Sequence, residues 1–304
     1  AMKRRSMRMD LWKGVSLVLL ALFLLVLVYP LLGILRQSVI DGEGNFTLAE
    51  FQKFFSQPYY TRTIINSMRI SIAITLVTLL IGVPFAYFYS FYQMKGAKFL
   101  FIIAILCSMS APFIGAYSWI MLLGRSGLIT KFLRDALGIR IGSIYGFNGI
   151  LIVQALKLFP LVFIYMNGVF KNIDSTLLEA SENMGCTGIK RFFKVILQLS
   201  MPTILAASLL VFMRAFADFG TPLLIGEGYR TFPVEIYNQY LGENGTNYSF
   251  ASAISVIAII VTAAIFFLQK WVTKRYNFPI SAMHPVIKKK ATGLKGILMH
   301  LYCY

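Results

Sequence analysis

Charged residues are scarce in this sequence, and their scarcity bears directly on the class of protein. Only 13% of the 304 residues are Asp, Glu, Lys or Arg, whereas a soluble globular domain carries about 25%. Apolar residues make up 58% of the chain, more than one water-facing domain of this length can remove from its surface. The composition argues against a soluble enzyme and equally against a disordered chain.

Residues suited to catalysis or metal binding are also few. The three cysteines are too few for a disulfide scaffold and have no spacing that suits a metal site, and the two histidines both lie near the C-terminus. The chain has no Walker A pattern, no C-x-x-C and no H-E-x-x-H. We therefore expect that the chain is not an enzyme and that it holds neither a metal ion nor a cofactor of its own.

Long apolar runs, by contrast, are abundant. A helix that crosses a bilayer needs about 20 mostly apolar residues, and the sequence holds six such runs, at about 14–35, 70–92, 99–123, 148–170, 203–226 and 250–269. We therefore predict an all-α integral membrane protein with six transmembrane helices. The chain then divides into a cytoplasmic N-terminal segment (1–13), a six-span domain (14–273) and a basic C-terminal tail (274–304).

The basic residues indicate how these helices are oriented. The net charge is +17, but most of the 29 Lys and Arg residues lie just outside the apolar runs, which favours a lipid partner and no nucleic-acid partner. With the N-terminus in the cytoplasm, the basic residues fall mainly on the inner side, as the positive-inside rule requires. The segment 124–147 is an exception. We predict a multi-pass plasma-membrane protein with both termini inside.

The segment between the fourth and fifth runs, 171–202, is long and strongly patterned. Asp174 or Ser175 can cap a short helix, Gly185 can end it by adopting a positive φ, and a second amphipathic helix is predicted at about 188–199. We expect a helix–glycine–helix unit on the cytoplasmic side. Such a unit can rest on anionic lipid or bind a partner protein.

The same segment resembles the EAA loop of ABC importer permeases. The pattern in that family is Glu-Ala-Ala, three residues, Gly, nine residues, and then an aliphatic residue, any residue, Leu and Pro. The chain matches this pattern at Glu179, Ala180, Ser181, Gly185, Val195 and Leu197. Ser181 takes the place of the second Ala, and Gln198 stands where the family has Pro. Together with the six runs, the stretch FMRAFADFGTPLLIG (212–226) is similar to permeases for ferric iron, polyamines, thiamine and phosphonates.

This resemblance implies a role and a set of partners. It implies a permease subunit of the bacterial inner membrane that forms half of a translocation path. Coupling to an ATPase is implied through the loop residues Glu179, Ala180, Ser181, Glu182 and Gly185. The implied partners are a dimer of ATP-binding cassette ATPases, which would hold ATP and Mg, a second permease half and an extracytoplasmic substrate-binding protein. The resemblance favours ferric iron as substrate, with polyamine, thiamine, phosphonate or sugar phosphate as alternatives.

Charges inside the apolar runs are candidates for the translocation path. Lys157 lies in the fourth run, and Arg214 and Asp218 lie in the fifth, where an unpaired charge is costly and therefore a functional candidate. If the fifth run is one helix, Arg214 and Asp218 share a face and either pair with each other or line the path. Gly220 and Pro222 are expected to break the helix just past Asp218, and backbone exposed at such breaks often contacts substrate.

Two alternatives remain open at this point. A secondary transporter or channel would carry its own ion-coupling residues and would not need an ATPase. The C-terminal sequence LKGILMHLYCY (294–304) resembles the beginning of the first run. The tail is therefore either an amphipathic segment or the start of a second permease half.

Overall fold

The computed structural model describes residues 11–40, 44–109, 111–138, 144–242, 247–275 and 294–303. Within these ranges the chain is helical, apart from turns, short connections and an isolated bridge between Ile40 and Phe46. The prediction of an all-α fold is therefore confirmed. Much of the predicted N-terminal segment (1–13) and of the C-terminal tail (274–304) lies outside the described residues.

The described helices follow one another through the chain with short connections. The first eight are α1 (Leu11–Phe23), α2 (Tyr29–Val39), α3 (Ala49–Ser56), α4 (Pro58–Phe91), α5 (Ala97–Ser108), α6 (Pro112–Leu123), α7 (Leu128–Leu137) and α8 (Phe147–Lys171). The next eight are α9 (Ser175–Asn183), α10 (Gly188–Arg191), α11 (Leu197–Leu199), α12 (Met201–Phe216), α13 (Gly220–Ile225), α14 (Phe232–Leu241), α15 (Tyr248–Arg275) and α16 (Leu294–Cys303). Two π-helical turns, Leu24–Val28 and Phe192–Ile196, join α1 to α2 and α10 to α11.

Several of these helices are long and apolar enough to cross a membrane. In the described part of the chain they are Trp12–Val39, Pro58–Phe91, Phe147–Lys171 and Tyr248–Lys274. Two bent pairs raise the number to as many as six: Ala97–Ser108 with Phe113–Leu137, bent by 107°, and Gly188–Leu199 with Met201–Phe216, bent by 73°.

The third and fifth predicted spans are not continuous helices. Ala111 has an extended backbone (ψ 147°) because Pro112 disfavours the helical conformation in the residue before it. In the fifth span, α12 ends at Phe216 and α13 begins only at Gly220. Pro222 contributes to this second break because it has no N–H to donate to the Asp218 carbonyl. Asp218 therefore lies within the break, at 217–219, and not on a helix that continues up to it.

The second span is longer than predicted, because α4 begins at Pro58 and has 34 residues. Its polar first half remains helical while burying hydroxyl groups such as those of Ser67 and Ser71. Further along, Gly82 allows close packing on α8: a Cβ at this position would lie 2.8 Å from the Val162 Cβ. The α4–α8 contact is thus specified by a small residue, as is common between membrane helices.

The described residues group into two compact units, the first comprising the described residues within 11–61 and 236–261. In this unit Phe54 is fully buried, and the ring of Tyr60 lies edge-on to Phe250 at 4.7 Å. The Lys53 ammonium lies 4.4 Å from the centroid of the same Phe250 ring. A small aromatic core therefore holds this unit together.

The second unit comprises the described residues within 62–235 and 262–303 and contains the main hydrophobic core. Buried side chains of α4, α8 and α12 form that core, among them Ile74, Phe163 and Val211. At one end of α4, the Tyr229 hydroxyl donates to the Asn66 carbonyl at 2.9 Å, and burial raises the pKa of Tyr229. At the other end, the Tyr302 hydroxyl of α16 donates to the Ile81 carbonyl at 2.8 Å.

Candidate functional site

Helix α9 in the segment 171–202 has well-formed ends. At its start, Asp174 Oδ1 accepts a hydrogen bond from the Thr176 backbone N–H at 3.0 Å, as an N-cap does. At its end, Gly185 has a φ of +75°. The Gly185 N–H donates to the Glu182 carbonyl and the Cys186 N–H to the Ser181 carbonyl, each at 2.9 Å, which is a Schellman motif. The predicted helix and the role of Gly185 in ending it are confirmed.

The two sides of α9 have different environments. Leu178 and Ser181 are 8% and 3% exposed, and the Ser181 hydroxyl donates to the Leu178 carbonyl. Glu179 and Ala180 face outward and are exposed. Of the five loop residues singled out in the sequence, Ser181 therefore packs inward, while Glu179 and Ala180 are accessible to a partner.

The second helical segment, Gly188–Leu199, is tied both to α9 and to the ends of the long helices. Arg191 Nη1 donates to Glu182 Oε2 at 3.0 Å, which links the two parts of the loop across Gly185. The Phe192 ring lies 4.9 Å from Tyr87 of α4 in an edge-on arrangement, and Ile196 is 1% exposed. These contacts make the loop a firmly anchored body.

The outward surface of this loop is partly apolar. Leu177, Met184, Ile189 and Phe193 are 49%, 79%, 78% and 58% exposed, and they lie close in sequence to Glu179. An exposed apolar group with a polar rim is typical of a protein-binding or membrane-binding surface.

A second candidate site is a cavity of about 250 Å³ lined by Gln154, Lys157, Leu158, Arg214, Ala217 and Asp218. Lys157 Nζ lies 3.4 Å from Asp218 Oδ1. Asp218 Oδ2 accepts from Gln154 Nε2 at 2.7 Å and from the Thr221 backbone N–H at 3.2 Å. The carboxylate therefore joins α8 to the start of α13.

This arrangement corrects the expected relation between Arg214 and Asp218. Asp218 lies beyond the end of α12, so the four-residue spacing does not place the two side chains on one helix face. Asp218 instead pairs with Lys157, which is 61 positions away. Arg214 is exposed and makes no hydrogen bond or ion pair within the described part of the chain. The structure thus brings Lys157, Arg214 and Asp218 to one cavity.

Gly220 and Pro222 do not line that cavity; both are buried within α13. Gln154, by contrast, contacts Asp218 but was not among the predicted residues. It is 1% exposed, and its Oε1 has no hydrogen-bond partner among the described residues. The sequence does carry a signal for it, because a polar residue three positions before Lys157 in an apolar helix lies on the same face.

Comparisons with known proteins agree on one family of membrane transport proteins. Residues 82–278 match the model described as "Binding-protein-dependent transport system inner membrane component". The chain is 30% identical over 267 residues to a putative ferric transport system permease protein of Haemophilus influenzae, covering 87% of this chain and 42% of that protein. It is also 30% identical over 270 residues to the ferric transport system permease protein of Actinobacillus pleuropneumoniae, covering 88% and 39%. The chain thus spans about two fifths of the length of these relatives.

A further relative is of similar length to this chain. It is the spermidine/putrescine transport system permease protein PotB of Haemophilus influenzae, 30% identical over 259 residues that cover 82% of this chain and 89% of that protein. Among solved structures, a chain of a bacterial alginate ABC transporter, in complex with a periplasmic protein that holds an alginate pentasaccharide, matches with a TM-score of 0.73 and 17% identity. The match covers 87% of this chain and 94% of that chain. At this identity the likeness supports the fold.

Proposed function

The chain belongs to the family of binding-protein-dependent transport system inner membrane components, and on that premise we propose that it is the permease part of an ATP-driven importer. It forms one half of a translocation path and is moved by a separate ATPase that docks on the loop 171–202. ATP and Mg are held by that ATPase. A second permease half and an extracytoplasmic substrate-binding protein complete the assembly.

The observation that carries this proposal is the two-sided construction of α9. Its inner side is packed through Leu178 and Ser181, and the loop that continues from it is fixed to α4 by the contact between Phe192 and Tyr87. Its outer side presents Glu179. A force applied at Glu179 is therefore transmitted to the long helices, because the loop moves as a packed body.

The experiment is charge reversal at Glu179 in the reconstituted importer. We expect Glu179→Lys to leave the protein folded and inserted, because the side chain is exposed, and to lower substrate-stimulated ATP hydrolysis by about tenfold or more through weakened docking. Asp135→Lys is the matched control: it makes the same charge change at a side chain that is 67% exposed on α7. Normal stimulation in Glu179→Lys, or ATP-independent uptake by the chain alone, would contradict the proposal.

Ferric iron is the substrate we propose, supported by the two ferric relatives. We also propose that the N-terminus and the loop 171–202 are cytoplasmic, on the basis of the distribution of Lys and Arg. Uptake of radiolabelled iron into proteoliposomes that contain the ATPase and the binding protein tests the substrate. Uptake of spermidine and not of iron would contradict it.

A further inference from the structure

The cavity between α8, α12 and the start of α13 is richer in hydrogen-bond donors than in free acceptors. Asp218 already accepts from Lys157, Gln154 and the Thr221 N–H, so its negative charge is compensated. Arg214 has five N–H donors and makes no hydrogen bond or ion pair within the described ranges. Lys157 and Arg214 are positive and Asp218 is negative, so the side chains that line the cavity carry a net charge of +1.

A cation fits these walls poorly. A bare metal ion or a polyamine would meet Lys157 and Arg214 and would have to take Asp218 from its existing partners. The described residues contain no group of three or more His, Cys, Asp or Glu side chains that could hold a metal ion. An ammonium ligand would also leave the Arg214 guanidinium without a counter-charge in a membrane segment, which is costly.

An oxyanion fits the same walls well. Arg214 can bind a carboxylate or phosphate through two parallel N–H···O bonds, and Lys157 has N–H groups beyond the one that faces Asp218. The buried Gln154 Oε1, which has no partner in the described residues, can accept from a hydroxyl or protonated oxygen of such an anion. The volume of about 250 Å³ suits a small solute.

Building on the proposed function, we infer that the permease path recognises a small oxyanion through Arg214, Lys157 and Gln154, either free or as the ligand of a metal ion. Iron then crosses as an anionic complex with its oxygen ligands, and not as a free cation. The Lys157–Asp218 pair sets the strength of the site, because Asp218 neutralises one of its two positive charges.

The test is calorimetric titration of the purified full-length protein in lipid nanodiscs. The probes are citrate, ferric citrate, phosphate and spermidine. We expect citrate and ferric citrate to compete for one site, which identifies the shared oxyanion as the group recognised, and spermidine to show no binding. Binding of phosphate with no binding of citrate would still place a free oxyanion in the site and would exclude an iron–citrate complex as cargo.

Variants separate this site from nonspecific attraction. Arg214→Gln should weaken citrate binding by about 10- to 100-fold, the range for a lost charged hydrogen bond, and Arg214→Lys should weaken it less. Lys131→Gln removes one positive charge from an exposed position on α7 and should leave binding unchanged. Asp218→Asn should strengthen citrate binding, because it frees Lys157 while the Asn oxygen can still accept from Thr221.

The inference is overturned if spermidine binds and competes with citrate, if Asp218→Asn weakens anion binding in a protein whose thermal unfolding is unchanged, or if Arg214→Gln binds citrate normally. The outcome is independent of the ATPase, since binding is measured without it. Loss of coupling on Glu179→Lys can therefore succeed or fail separately from this result.

Discussion

At the scale of single residues, Ser181 shows how the inner side of α9 constrains side-chain size. It is 3% exposed, and among the described residues its hydroxyl bonds only within its own helix, to the Leu178 carbonyl. We expect Ser181→Ala to be nearly neutral, because no partner elsewhere is lost, and Ser181→Leu to destabilise the protein by about 1–3 kcal/mol through overpacking. Unfolding in mixed micelles measures both.

Ala180→Leu is the control for added volume on the same helix, because Ala180 is exposed. It should leave the free energy of unfolding within about 0.5 kcal/mol of wild type. Equal stability of Ser181→Leu and Ala180→Leu would mean that α9 is not packed in the way described.

The residues of the two candidate sites were not equally predictable from the sequence. Asp174 and Gly185 act on their own helix, so their roles are encoded by neighbours within a few positions. The partner of Asp218 is Lys157, 61 positions away, and no local pattern specifies such a contact. The spacing of Arg214 and Asp218 was misleading because it assumed a helix that in fact ends at Phe216.

At the scale of elements, the turn at Gly185 joins the two halves of the loop and requires a backbone conformation that other residues rarely adopt. Its φ is +75°, and a Cβ would meet nothing within 4 Å. We expect Gly185→Ala to cost about 1–2 kcal/mol from the left-handed backbone alone, measured as a shift in the unfolding midpoint. The matched control is Gly168→Ala in α8, which also has open space but no positive φ.

Gly168→Ala should be neutral or slightly stabilising, because alanine is the better helix former. If both variants behave alike, the positive φ at Gly185 is not a constraint on the loop.

The π-helical turn Phe192–Ile196 is a second element with a testable role. A π turn holds one residue more than the α-helix it interrupts. Deletion of Lys194, which is exposed, should restore α-helical geometry and leave the preceding part of the loop facing nearly the same way, because the π turn accommodates its extra residue locally. We expect an inserted protein that still stimulates ATP hydrolysis.

Lys194→Ala keeps the chain length and should retain the stimulation of ATP hydrolysis. Comparison of this variant with the deletion separates the effect of losing a residue from the effect of losing the Lys194 charge. Loss of stimulation in the deletion variant alone would show that the π turn itself is required for coupling.

The positions of helices in the membrane were predictable, but their interruptions were only partly so. The long apolar runs identify α8 and α15 because transfer to lipid depends mainly on composition. Pro112 and Pro222 signal breaks, but a proline inside a membrane helix does not always end it: Pro84 and Pro160 lie within α4 and α8. A helix continues past a proline when neighbouring groups hydrogen-bond to the backbone carbonyl that the proline leaves without a partner, and this depends on the tertiary fold.

At the scale of the whole molecule, α8 fixes the sidedness of the connections that flank it. Its 25 residues span about 37 Å, enough to cross the hydrocarbon core. We expect a charged, impermeant maleimide to label Cys186, which is partly exposed, in inside-out vesicles and not in spheroplasts. Ser126→Cys, before α8, should show the opposite pattern.

Both measurements are made with Cys107 and Cys303 replaced by serine, and Cys186 is also replaced by serine in the Ser126→Cys variant, so that one thiol reports at a time. Labelling of Cys186 from the outside would reverse the proposed orientation and place the coupling loop away from ATP.

The first span has a consequence for the order in which the chain enters the membrane during synthesis. Trp12–Val39 has a mean hydropathy of 2.9, and none of its most apolar window is buried by the protein, whereas half of the corresponding window of Pro58–Phe91 is buried. The first helix can therefore leave the translocon for lipid alone. The second carries hydroxyls such as those of Ser71 and Thr78 that are fully covered in the folded chain, so its stable placement must wait until the helices that cover them have been synthesised.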